Sequence, residues 1–261
     1  MLPTVGSGVV KPSRSRPNPP IGPTPASGTG DGPEVLLGAA EAHLVSCDER
    51  MGELVAKVGP LRLVSSRARS TFDALTESIV YQQLSGKAAA TIHGRLCALF
   101  PRRRVHPEAL LAFGDGDLRG AGLSRGKVLA LRDLAERTLG GTVPTLTALR
   151  AMSDDAIVER LVQVRGIGPW TAEMLLIFRL GRPDVLPATD FGIRNGFMLT
   201  YRKRSMPTPL EVARRGEKWR PYRTAASWYL WRAVDLAKAT KVDTTKAKAG
   251  TAVSPRAGRR G

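Results

Sequence analysis

Residues 161–190 read LVQVRGIGPWTAEMLLIFRLGRPDVLPATD. The first few residues close one amphipathic helix, Gly166-Ile167-Gly168 makes a tight turn, and the apolar periodicity then resumes as a second helix. Pro169 suits the first turn of that helix, where its missing N–H would have no partner anyway. The two glycines permit positive φ and leave the main chain uncovered, so N–H groups at a helix start can approach an anion. Gly181 is placed to cap the second helix, and Pro183 and Pro187 stop its continuation. Asp190 ends the Pro-rich loop where a further helix begins. An anion cradle is thus followed by a placed carboxylate. A Walker loop is excluded because no GKS or GKT follows the glycines, and no parallel sheet is available for a dinucleotide fingerprint.

The rest of the chain reads as more helices. On the N-terminal side, Ser153-Asp154-Asp155 starts the helix that enters the turn, with acids complementing its dipole. Further back, Ser124 caps VLALRDLAERTL, whose core face is read as Leu129, Leu134 and Leu139, with Arg125, Lys127 and Arg132 toward solvent. Residues 71–100 form two helices around a corner, Tyr81-Gln82-Gln83-Leu84-Ser85-Gly86, with Ser85 capping the second. The adjacent glutamines are either exposed amides or readers of a base edge. Short helices are expected at Pro107–Phe113 and Thr145–Arg150, and a longer one from Pro33 to about Arg50. On the C-terminal side, FGIRNGFMLTYR, the polar Thr208–Trp219 segment and WRPYRTAASWYLWRAVDLA (219–237) read as helices, the last begun by Pro221. No alternating strand pattern appears, so the fold class is all-α.

Both ends differ from this body. Residues 1–33 are rich in Pro, Gly, Ser and Thr, a composition that buries too little apolar surface to offset ordering entropy, so disorder is expected there. Residues 238–261 carry seven basic side chains among small residues and are expected to form a disordered basic tail. One domain then spans 34–237, with its helical hairpin at about 153–181. Over 261 residues the formal net charge is +17. A field of that sign favours polyanions, nucleic acid first. The two cysteines, Cys47 and Cys97, are far apart and suit neither a Cys-only metal site nor a disulfide framework. The longest apolar runs are too short to span a bilayer, and no signal peptide is apparent.

Four stretches, VRGIGPWTAEMLL…LPATD, IVYQQLSGKAA, residues 122–137 and WRPYRTAASWYLW, resemble the helix-hairpin-helix DNA glycosylase superfamily, in its compact 3-methyladenine DNA glycosylase II form. The resemblance implies a two-lobed all-α fold with the active cleft between lobes, a hairpin that grips DNA, and a monomer acting on double-stranded DNA that carries alkylated bases. It implies no membrane association and a place in the cytoplasm with the nucleoid, or in the nucleus, according to cell type. Asp190 matches the catalytic aspartate, which stabilises positive charge developing on the sugar as the N-glycosidic bond breaks. Strand-cutting members carry a lysine where Trp170 stands, so hydrolysis without lyase activity is implied. Trp170, Trp231 and Gln82 match base-pocket positions. Gly166, Gly168 and Thr171 match the phosphate grip, and Gln83 or Leu84 the wedge that fills the flipped-out base's place. Tyr222 and Arg223 match an aromatic–basic pair without an assigned role. No catalytic cofactor is implied. A structural Na+ or K+ on the main-chain carbonyls of Val162, Val164 and Ile167 is.

Overall fold

The computed structural model describes residues 34–63 and 69–251, and every regular element among them is a helix. The calls on residues 1–33 and 252–261 lie outside the described residues. Two groups of helices pack into two lobes. The first is built from α3 (Thr71–Tyr81), α4 (Gly86–Ala98), α5 (Pro107–Ala112), α6 (Asp115–Gly120), α7 (Arg125–Leu139) and α8 (Leu146–Ala151), with α7 lying against α3, α5 and α6. The second gathers α1 (Glu34–Cys47), α2 (Glu49–Val58), α11 (Phe191–Thr200), α12 (Pro209–Gly216) and α13 (Arg223–Thr251). Between them stands the hairpin, α9 (Asp154–Leu161) and α10 (Pro169–Leu175), followed by a π-type turn over Leu176–Leu180. One continuous apolar core runs through both lobes, from Leu44 and Met51 to Leu131 and Leu134.

Local chemistry explains most of the helix starts. The hydroxyls of Ser70, Ser85, Ser124, Thr145, Ser153 and Thr208 each accept a main-chain N–H three residues on, satisfying a donor that the first turn leaves free. Gly181 ends the hairpin in the left-handed region, at φ 67°, where a side chain would be strained.

The structure corrects several expectations. The helix expected from Pro33 to Arg50 breaks at Asp48, which leaves α1 and caps α2 by accepting the N–H groups of Arg50 and Met51. The buried face of α7 is Val128, Ala130, Leu131, Leu134 and Ala135, so of the three expected core residues Leu134 is buried while Leu129 and Leu139 are exposed. Lys127 and Arg132 are not solvent groups either. Arg132 donates to the carbonyls of Leu111 and Phe113 and pairs with Asp115, tying α7 to the ends of α5 and α6. Pro221 precedes the last helix, which starts at Arg223. That helix continues to Thr251, past the boundary at 238 where a disordered tail was expected. Its Ala and Lys content is strongly helix-forming, so the basic composition does not end it.

Two ionic seams join the parts. From the loop after Gly181, Arg182 donates to the carbonyls of Leu149, Arg150 and Met152 and pairs with Asp154. Two residues on, Asp184 takes Arg223 at 2.7 Å and Arg220 at 2.6 Å. The start of the loop leading to Asp190 is therefore held to α8 on one side and to α13 on the other.

Candidate active site

Asp190 is the N-cap of α11, and its Oδ1 accepts the Ile193 N–H at 2.7 Å. It is also 1% exposed, which for a carboxylate demands further partners. Two tryptophans supply them. Trp170 Nε1, from the first turn of α10, donates to Oδ2 at 2.8 Å, and Trp231 Nε1, from α13, donates to Oδ1 at 3.0 Å. Three donors from three helices thus fix one carboxylate. A carboxylate offers about four lone-pair directions, so one remains, on Oδ2 beside the half-buried Trp170. Trp231 is buried and stacks on Phe178 with ring centroids 5.8 Å apart.

A second acid stands close by. Glu173 lies one turn beyond Trp170 on α10, and its Oε2 is buried with no hydrogen-bond partner. Burial, and then the negative charge of Asp190, push its carboxyl up to about 7. Near neutrality Glu173 is therefore substantially protonated, which spares Asp190 a second anion beside it.

The hairpin turn is docked on the first lobe through its main chain. Gly166 has φ 78°, and an added Cβ would lie 3.3 Å from the Ala130 Cβ. Its carbonyl accepts Gln82 Nε2 at 2.9 Å, and the Arg165 N–H donates to Asp133 at 2.7 Å. The N–H groups of Gly166 and Gly168 have no acceptor among the described residues, and the space where a Gly168 Cβ would sit is open. These are the features an anion needs.

Several expected residues are placed differently. Thr171 is only 4% exposed, and its hydroxyl accepts from Gln82 at 3.4 Å. It packs inward. Gln82 follows α3 as its C-cap residue and donates its side-chain amide to the hairpin. Gln83 is exposed at the corner with φ 59°, and Leu84 beside it is half-buried. The Trp170 and Trp231 rings lie at the same site as Asp190, but their indole N–H groups are aimed at the acid, a role that sequence spacing did not reveal. Val164 and Ile167 are buried and Val162 is exposed; the Val164 carbonyl accepts the Ile167 N–H at 3.0 Å, using one of its two lone pairs. Trp228 is half-buried and Tyr229 fully buried, as core residues.

Sites missed from sequence are structural. Asp48, 4% exposed, accepts from Tyr201, Arg215 and Trp219 as well as capping α2. Arg223 belongs to the Asp184 seam, and Tyr222 packs against His43.

Residues 76–221 match the model of the HhH-GPD superfamily of base excision DNA repair proteins. The chain is 39% identical over 211 residues to DNA-3-methyladenine glycosylase 1 of Schizosaccharomyces pombe, covering 78% of this chain and 91% of that one. Among solved structures, the S. pombe 3-methyladenine DNA glycosylase in complex with abasic DNA superposes with a TM-score of 0.69 at 38% identity, over 74% of this chain and 95% of that one. A DNA-3-methyladenine glycosidase from Bacillus halodurans gives 0.68 at 34% identity, over 80% and 92%.

Proposed function

The chain belongs to the HhH-GPD superfamily of base excision DNA repair proteins, and from that premise we propose that it removes alkylated bases of the 3-methyladenine type from double-stranded DNA, by hydrolysis and without strand cleavage. The observation that carries this reading is Asp190, buried and held by Trp170, Trp231 and the start of α11. As the C1′–N bond breaks, its electron pair leaves with the base and positive charge grows on the sugar. A fixed carboxylate in a water-poor setting stabilises that charge by roughly 3–4 kcal/mol. Its oxygens need no reorganisation during the step, because the indoles and the Ile193 N–H already hold them. The free direction on Oδ2 orients the water whose oxygen bonds to C1′ and whose proton passes to solvent.

A Schiff-base route needs a lysine amine at the sugar. The position belongs to Trp170, whose nitrogen is committed to Asp190, and Lys127 Nζ is bonded to the Val80 and Gln82 carbonyls. The indole faces of Trp170 and Trp231 suit an electron-poor, often cationic, alkylated base. Gly166 and Gly168 present N–H groups to a backbone phosphate, and exposed Gln83 takes the vacated position in the duplex. A Na+ or K+ bound by the carbonyls of Val162, Val164 and Ile167, an oxygen-only set suited to such an ion, would add positive charge at that phosphate; no catalytic cofactor is called for.

Base release from a duplex carrying 7-methylguanine or 3-methyladenine, measured at saturating enzyme, tests the assignment. Asp190→Asn should lower the rate by about 10²- to 10³-fold while still binding the duplex. An unchanged rate rejects Asp190, and a covalent adduct trapped with borohydride rejects the hydrolytic route.

A further inference from the structure

The corner between α3 and α4 is held by a lysine whose own helix does not explain it. Lys127 stands in the first turn of α7, a turn with no acidic residue, where a cation opposes the dipole of that helix. Its stem is half-buried, and its ammonium donates to the carbonyls of Val80 and, at 2.9 Å, Gln82. Both carbonyls belong to the C-terminal end of α3, which a helix leaves without internal partners and where a cation is favoured. The Gln82 that accepts from Lys127 through its main chain donates through its side chain to the Gly166 carbonyl at 2.9 Å and to Thr171 at 3.4 Å. The next residue is Gln83, exposed and left-handed at φ 59°. A continuous hydrogen-bonded path therefore runs from α7 through Gln82 to the hairpin, with the strained corner residue attached to its middle.

We propose that Lys127 and the Gln82 side chain are positioning residues that lock the Gln83 corner to the Gly166–Gly168 turn, so that gripping phosphate and filling the vacated base position occur as one event. The inference rests on the base-flipping reading above but assigns roles outside the chemistry at Asp190. Burial lowers the affinity of Lys127 for its proton, and its charged form donates to the two carbonyls. The lock matters most when the enzyme must compete with pairing and stacking, and least when the lesion has no partner base.

The test compares one 7-methylguanine duplex with cytosine opposite the lesion and one with an abasic-site analogue opposite it. Lys127→Met keeps the stem and removes the charge; Gln82→Leu keeps the volume and removes the amide. Each should lower the single-turnover rate by about ten-fold on the paired duplex, the order of one lost hydrogen bond, and by less than about three-fold on the unpaired one. The double variant should be no worse than the poorer single one, since both break the same path. Lys127→Arg should recover part of the loss. Equal losses on the two duplexes, or fully additive losses in the double variant, overturn the proposal. Unstacking of a 2-aminopurine placed beside the lesion gives a readout independent of base release. If the wild type releases no base, the function fails, whereas unchanged 2-aminopurine unstacking in Lys127→Met fails the positioning role alone.

Discussion

At the scale of single residues, the site is one carboxylate with its donors specified. Phenylalanine at position 170 keeps the apolar ring but leaves Oδ2 of Asp190 without its 2.8 Å donor. Trp170→Phe should therefore lower the single-turnover rate by about 10- to 100-fold and, by leaving a buried charged acceptor short of a donor, reduce stability by about 1–3 kcal/mol, as rate measurements and melting curves on the same preparation will show. Glu173 gives a pH signature. Its folded-state carboxyl, pushed up to about 7, binds a proton more readily than in the unfolded chain. Stability from this group therefore falls as pH rises from the ordinary glutamate range toward 7, and the burial penalty is in full force above that. Glu173→Gln should raise the melting temperature by a few degrees at about pH 8 and leave it nearly unchanged at about pH 4; a shift equal at both pH values would contradict the assignment. Asp190 and the tryptophans are picked out through the resemblance of the stretches that carry them, VRGIGPWTAEMLL…LPATD and WRPYRTAASWYLW. The aim of the indole N–H groups is not, since it depends on α10 and α13 converging from positions 61 residues apart in sequence. Gln82 shows the same limit: its sequence neighbours leave its role open, and only the docked hairpin reveals the acceptor it takes.

At the scale of elements, the decisive approach is that of α11 to α13. Gly196 lies on α11 against the main chain of α13, and a Cβ there would stand 2.0 Å from the Leu230 carbonyl oxygen and 2.6 Å from its carbon. Main chain cannot rotate away as a side chain can. Gly196→Ala should cost about 3 kcal/mol or more, seen as a lower melting temperature, and should reduce activity further by parting Asp190 from Trp231, the residue after Leu230. By helix propensity alone this glycine weakens α11, whereas packing makes it the residue that lets α11 close on α13. Helix starts were more transparent. The hydroxyl at Ser85, Ser124 or Ser153 acts on N–H groups within its own turn, so the signal is local. The division of α1 from α2 was not transparent, because Asp48 is fixed by partners on α11, α12 and the turn after it.

At the scale of the molecule, that same Asp48 ties the N-terminal helices to the C-terminal ones. Burial pushes its carboxyl up, but hydrogen bonds from Tyr201, Arg215 and Trp219 more than offset this and hold it below the ordinary aspartate range. The stabilisation is present above the ordinary aspartate pKa and is lost as pH falls through the lower folded-state value. Asp48→Asn should destabilise the protein by about 3 kcal/mol near neutrality, with the difference from wild type narrowing in melts taken below about pH 4. The lobed architecture follows from this return of the chain: α1 and α2 join α13, so the second lobe is completed only after the first lobe and the hairpin have been laid down.

The arrangement around Asp190 also furnishes an intrinsic optical reporter. Two of the chain's four tryptophans share a single carboxylate, while Trp219 is buried at the Asp48 cluster. Indole emission responds to a neighbouring charge and to a ring stacked on its face, so occupancy of the site is encoded in ultraviolet fluorescence without a label. Single Trp170→Phe and Trp231→Phe variants would divide that signal between its two sources.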